Sequence, residues 1–138
     1  RAYEVKLYTK KSIHEWYKNT KSNFQNSDFY KIYINFPRLE LIERINLRSK
    51  KMIKNGAIKE VKNFIKLNVR ADKSVNKAIG INEIRQYLNN EKELEDIIEN
   101  ISIKTRQYAK RQSTWARGNM NTWLKLKPNE LNNFLKKI

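Results

Sequence analysis

The stretch KRQSTWARGNMNTW, Lys110–Trp123, places three cations and two tryptophans in fourteen residues without a single carboxylate. These groups are suited to holding a ligand rather than to breaking bonds. Cations meet phosphates, and aromatic faces beside cations suit unstacked nucleic-acid bases. The surroundings are equally one-sided. No Asp or Glu occurs from residue 100 to 129, where Lys104, Arg106, Lys110, Arg111, Arg117, Lys125 and Lys127 all fall. Five acids gather just before, at Glu91, Glu93, Glu95, Asp96 and Glu99.

Groups that make or break bonds are scarce. The one histidine, His14, stands between Ile13 and Glu15 in a capped turn; a lone residue is no catalytic constellation, so a surface or packing role is expected. Without cysteine there is no disulfide, thiolate zinc site or cysteine nucleophile, which fits a reducing cytoplasm. Gly56, Gly80 and Gly118 are the only glycines, so no loop can cradle phosphate in the manner of G-x-x-x-x-G-K-[ST]. The acid cluster lies along one segment, whereas hard cations want carboxylates converging from a turn or several elements. It reads as the solvent-facing start of a helix.

A chain of 138 residues has room for one domain, and 39% hydrophobic content can supply a modest core. The formal charge of +16 favours polyanions, either nucleic acid or an anionic membrane surface. Abundant Lys, Asn and Ile can follow from A+T-rich codons, but such a bias does not decide where the acids fall. No signal peptide is evident, and no apolar run approaches the ~18 residues of a membrane span, so no membrane partner is expected. The sequence opens at Arg1 inside a helical pattern, without Met or N-cap, and is read as a fragment.

The elements that must position these residues follow from periodicity. Residues 1–19 read as two short helical pieces, the second opened by a Ser12–Glu15 capping box. Tyr30, Ile32, Ile34 and Phe36 alternate with polar neighbours as a strand ended by Pro37. A helix from Arg38 carries Leu41, Ile42, Ile45, Ser49, Met52 and Ile53 on one stripe and stops at Asn55-Gly56. A second, Ala57–Leu67, turns Val61, Phe64 and Ile65 inward; a third covers Ile81–Leu88 after the basic connection NVRADKSVNKAIG. The longest spans roughly Glu93–Arg117, with Leu94, Ile98, Ile101, Thr105, Tyr108, Gln112 and Trp115 as its inward stripe and Gly118 as its stop. On that stripe Trp115 is expected in the core, with base stacking as its other reading, and Gln112 is expected to tether another loop, the KAIG turn being the candidate. Arg106, Lys110, Ser113 and Arg117 then share a solvent face, beside Arg111 and Thr114. NTWLKL is a candidate strand, and Pro128 opens a last helix through Phe134.

TRQYAKRQSTWARG, residues 105–118, resembles the C-terminal signature of the bacterial tRNA dimethylallyltransferases, the tRNA isopentenyltransferase family, written T-R-x-x-A-K-R-Q-x-T-W-x-R. RAYEVKLYTKKSIHEW at the start resembles the family's R-A-L-E-V-x-x-x-T-G-K-x-x-S-E. RLELIERINLRSKKMIKNGAIKEV and NKAIGINEIRQYL follow in the family's order, so the resemblance covers nearly the whole chain. It implies an α/β, predominantly helical fold with one or two short strands: the C-terminal part of a P-loop kinase-like core (29–138, tRNA-binding) and the end of its helical insertion with a connecting loop (1–28).

The activity implied is transfer of a dimethylallyl group from dimethylallyl diphosphate to N6 of the adenosine 3′ of the anticodon, with Mg²⁺ and a P-loop holding the diphosphate. The partner implied is the tRNA anticodon stem-loop, bound by a cytoplasmic monomer. The family's tRNA-contacting stretches fall here on Arg1, on Lys77, Ala78, Ile79, Gly80, Ile81 and Asn82, and on Lys110, Arg111, Gln112, Ser113, Thr114, Trp115, Ala116 and Arg117. The P-loop, the catalytic aspartate and the channel threonine of the family lie N-terminal to its counterpart of Arg1. No catalytic or metal-binding residue is therefore expected here, and no cofactor bound, with Arg48 as a candidate substrate-facing cation near the buried side of its helix. Three departures stand out: Ile81 and Asn82 replace an aromatic and a basic residue after AIG, and Lys10 replaces the Gly after Thr9. The alternatives are a non-catalytic basic helical module that binds nucleic acid, or an inactive gene remnant.

Overall fold

The computed structural model describes residues 1–138, with every side chain except that of Asn26. Its contacts divide the chain into two compact units, Arg1–Lys31 and Ile32–Ile138.

The first unit holds α1 (Ala2–Thr9) and α2 (Ile13–Asn19). Helix α1 ends at Lys10, whose φ of 60° lies in the left-handed region, where any residue with a Cβ is strained. That is the position at which the family pattern has glycine. The capping box forms as the sequence requires: Glu15 N–H donates to Ser12 Oγ at 3.2 Å and Ser12 N–H to Glu15 Oε2 at 2.6 Å. These bonds, the backbone one first, hold the Glu15 carboxyl below its ordinary value. Trp16 Nε1–H donates to Thr9 Oγ1 at 3.2 Å, and Phe24 meets Phe29 edge to face at 5.5 Å. None of the unit's described side chains is buried.

The second unit is built on a 26-residue helix, α6 (Leu94–Asn119). Helices α3 (Arg38–Lys54) and α5 (Ile81–Leu88) pack on it, and α4 (Ala57–Lys66) packs on α3 and α5. Strand β1 (Ile32–Ile34) pairs in parallel with β2 (Leu124–Leu126), Tyr33 opposite Lys125. The expected strand over 30–36 is thus real but shorter. Asn35 N–H extends the ladder by one bond to Leu126 O at 2.8 Å, and Arg44 of α3 lies over the Phe36 ring at 4.8 Å. Gly56, at φ 103°, makes the sharp link between α3 and α4.

The core is small. Ala57, Val61, Ile84 and Ile97 form its centre, with Met52, Ile53, Ile58, Ile81, Tyr87, Leu88 and Leu94 packed around them. Ile45 and Ile101 are buried farther along α3 and α6. Buried hydroxyls bond backward within their own helices, Ser49 to Ile45 O and Ser102 to Ile98 O, and so leave no orphan donor.

Several expectations need correction. Ile65, expected inward, is 39% exposed. Gly118 does not stop the long helix, which runs to Asn119; there the amide donates to Trp115 O at 2.8 Å, and Met120 N–H to Ala116 O at 2.7 Å. The final helix, α7, starts at Leu131 rather than Pro128, after a turn closed by Lys127 N–H on Glu130 Oε2.

Ile97→Ala should cost about 2–5 kcal/mol, the usual range for emptying a fully buried aliphatic site. Ile65→Ala should cost less than half as much. Urea unfolding of both variants checks the pair, and equal losses would contradict this placement of the core.

Candidate nucleic-acid interface

The C-terminal half of α6 carries the acid-free stretch, and its inward face differs from the expected one. Ala116 is buried, while Ala109, Ser113 and Met120 are half-buried. Tyr108 is 50% exposed and Trp115 59%, and Gln112 is exposed too. Trp115 lies 18 residues beyond Ile97, about five turns at 3.6 residues each, and so points the same way as that fully buried side chain. Near Trp115 that direction is open, and small residues farther around the helix take the inward face. Trp115 is therefore not a core residue, and Gln112 is not a buried tether.

The exposed side chains sort by angle at about 100° per residue. Tyr108, Arg111 and Trp115, spaced three and four apart, share one face, and the Arg111 guanidinium lies 5.7 Å from the Tyr108 ring centre. Lys110, Thr114 and Arg117 lie roughly 100° around from Arg111, with Arg117 donating to Thr114 Oγ1 at 3.4 Å. Arg106 and Ser113, expected on the solvent face, are half-buried. Arg1–Glu4, Arg70–Asp72 and Lys104–Glu83 are ion-paired, whereas Lys110, Arg111 and Arg117 pair with no carboxylate among the described residues and carry unopposed charge.

Beside the aromatic face runs an open groove of about 590 Å³. Ala109, Ser113 and Ala116 line it together with Tyr33–Phe36 and Leu41, and Arg111, Gln112 and Trp115 also border it. Small residues on α6 leave this space, and of the aromatic residues on that helix Trp115 borders it.

The second predicted stretch, Lys77–Asn82, is a turn held at both ends. Asn76 donates to Arg70 O at 2.9 Å and accepts from Arg85 at 3.1 Å. Gly80 is buried with φ 107°, and a Cβ there would meet Met52 Cε at 3.4 Å; only glycine adopts this backbone without strain. Its N–H donates to Glu83 Oε2 at 2.9 Å. The Glu83 side chain is only 3% exposed and pairs with Lys104 of α6. This carboxylate, not Gln112, ties the turn to the long helix. Gln112 lies eight residues beyond Lys104, ~12 Å along the axis, out of register with the turn. A Gly-Ile-Asn-Glu run keeps the Glu half of a capping box without the N-cap hydroxyl, and that signal could have pointed to Glu83.

Not every predicted residue is presented to a ligand. Lys77, Ala78, Ile79, Asn82, Lys110, Arg111, Gln112, Thr114, Trp115 and Arg117 are exposed. Ala116 and Gly80 are buried, and Ile81 is half-buried against the core, with no aromatic ring to stack. Arg1 is exposed in the first unit and pairs with Glu4 at 3.8 Å. Arg48 lies on the exposed side of α3, next to buried Ser49, rather than toward the buried side. Among the described residues no three His, Asp or Glu side chains gather where they could hold a metal.

Residues 1–119 match the family profile described as IPP transferase. A tRNA dimethylallyltransferase of Pelagibacter ubique (strain HTCC1062) is 54% identical over 138 residues, 100% of this chain and 44% of that protein. Another, from Thermoanaerobacter sp. (strain X514), is 41% identical over 121 residues, covering 86% of this chain and 38% of its own length. Among solved structures, the tRNA delta(2)-isopentenylpyrophosphate transferase of Staphylococcus epidermidis superposes with a TM-score of 0.69 at 28% identity, over 99% of this chain and 47% of that one. The chain thus spans less than half the length of these relatives.

Burial alone pushes the Glu83 carboxyl up, but the hydrogen bond from Lys104 and those from the Glu83 and Gly80 N–H groups outweigh it, and the net shift is downward from the ordinary 4.5. A carboxyl lowered in the folded state contributes stability that is fully present above 4.5 and is lost as pH falls through the folded value. Glu83→Gln should therefore lower stability at pH 7 and flatten its fall below pH 4.5. Urea midpoints measured from pH 7 to pH 3 check this, and a parallel fall in both proteins would contradict it.

Proposed function

The chain belongs to the IPP transferase family, and from that premise we propose that it is the tRNA-gripping part of a tRNA dimethylallyltransferase. The complete enzyme would transfer a dimethylallyl group from dimethylallyl diphosphate to N6 of the adenosine 3′ of the anticodon, with this chain binding the anticodon stem-loop. The observation that carries the reading is the exposed, acid-free half of α6, where Tyr108, Arg111 and Trp115 stand on one face and Lys110 and Arg117 on the next.

The physical fit is direct. A base must leave its stack before its exocyclic amine can react. Unstacking exposes flat π surfaces on the flipped nucleotide and on its neighbours, and an exposed Trp or Tyr can cover such a surface. Phosphates on either side meet Lys110, Arg111 and Arg117. The Lys77–Asn82 turn adds Lys77, and Arg1 belongs to a further contact in the first unit, which on this reading is the end of the helical insertion. The second unit is then the C-terminal part of the core. Arg48, on an exposed helix face, is left with RNA or solvent rather than a buried substrate channel.

The family's Mg²⁺ and diphosphate do not fit the residues present. The carboxylates do not converge, and the three glycines stand apart with no phosphate-cradling loop. On this reading the chain, a cytoplasmic monomer, contributes RNA binding and not the diphosphate chemistry.

Replacing Lys110 and Arg117 together by Ala should weaken binding of an anticodon stem-loop and flatten the log–log salt dependence by roughly one to two units, since each phosphate contact contributes about 0.7–0.9. Trp115→Ala should weaken binding by about 1–3 kcal/mol with the slope unchanged, as stacking carries little salt dependence of its own. Anisotropy titrations at several salt concentrations separate the two, and an unchanged slope in the double variant would mean the face is merely solvated. Labelled dimethylallyl diphosphate with tRNA and this chain alone should give no incorporation; transfer above background would overturn the assignment of diphosphate chemistry elsewhere.

A further inference from the structure

Lys104 opens the aromatic face of α6. At about 100° per residue, Lys104, Tyr108, Arg111 and Trp115 fall on one side of the helix, spaced four, three and four apart. The turn that Glu83 binds through Gly80 N–H is thereby joined to the foot of this face, about 9 Å along the axis before Lys110. Lys104 is half-exposed while Glu83 is buried, so the pair reaches from the interior to the RNA side.

We propose that Glu83 and Lys104 are positioning residues for RNA binding: the pair locks the Lys77–Asn82 turn to α6, so that Lys77 and the Tyr108–Arg111–Trp115 face act as one surface. This rests on the reading of α6 as an RNA-binding face. A buried carboxylate is an unusual support for a basic interface, because its charge opposes the phosphates. It is tolerated because Lys104 compensates it and Gly80 N–H orients it. Without it, the turn keeps its Asn76 bonds at one end but loses its register on α6 at the other.

The effect of Glu83→Gln separates the lock from simple electrostatics. Removal of a negative charge should tighten RNA binding if charge alone matters. The lock predicts weaker binding instead, by roughly five- to tenfold, with a salt slope lower by about 0.7–0.9 as the Lys77 contact is lost. Lys77→Ala, costly in the unaltered chain, should then cost less than about twofold in the Glu83→Gln background.

Anisotropy titrations of an anticodon stem-loop with the 138-residue chain measure all three quantities, with circular dichroism confirming the fold of each variant. Where Glu83→Gln does not fold, Lys104→Met, at a half-exposed site, carries the same coupling test against Lys77→Ala, and Lys104→Arg should restore binding. Equal or tighter binding by Glu83→Gln with an unchanged slope overturns the lock, as does a full Lys77→Ala effect in either background. If Lys77→Ala is silent in the unaltered chain while Arg111→Ala weakens binding, the turn lies outside the interface and the inference falls alone. If neither variant changes binding, the RNA-binding reading fails and takes the inference with it.

Discussion

Burying an ionised carboxylate costs several kcal/mol unless its charge and lone pairs are answered, and the second unit is arranged around one such group. Glu83 sits at the first turn of α5, where the helix's own N-terminal field favours an acid. It takes the Gly80 N–H on one oxygen and Lys104 on the other. Answering it requires Gly80 in a left-handed conformation, close against Met52 of α3, and requires α6 to present a cation at that depth. One ionised group thus ties α5 and its preceding turn to α6, and Ile84, its neighbour in sequence, is 1% exposed in the centre of the core.

Much of this was legible in the sequence where a single local rule governs the outcome. The Ser12–Glu15 box, the Asn55-Gly56 stop and the α3 stripe through Ile45 and Ser49 each follow from spacing within one element, and all appear. Spacing is insufficient where the decision belongs to a neighbouring element. A heptad reading of α6 keeps Tyr108, Gln112 and Trp115 in line with Leu94, but it is the small side chains at Ala109, Ser113 and Ala116 that face β1 and the start of α3 across the groove. Periodicity could not say which of two adjacent faces a partner would choose. Glycine often stops a helix, yet Gly118 takes no left-handed angle here; the side chain of Asn119 closes the helix instead.

The departures from the family pattern also acquire physical content. Lys10 occupies a backbone conformation that glycine adopts freely, so the pattern's glycine answers a need of the turn. Ile81, in place of an aromatic residue, is drawn into the hydrophobic cluster around Ile84 and Ile97. The ability to stack is then concentrated on Tyr108 and Trp115, along the helix rather than in the turn.

Helix α6 separates its charge along its length, with Glu95, Asp96 and Glu99 near one end and Lys110, Arg111 and Arg117 near the other. Glu95 and Asp96 lie in the first turn, at the positive end of the backbone dipole, and Arg117 in the last, at the negative end, which steadies the helix. Seen from a distance the result is a rod some ~39 Å long with opposite signs at its two ends. A polyanion drifting toward it feels a torque as well as a pull, because the acidic end attracts it less than the basic end does. Encounters are thus biased toward productive orientation before any contact forms, which raises the association rate more than it lengthens the lifetime of the complex.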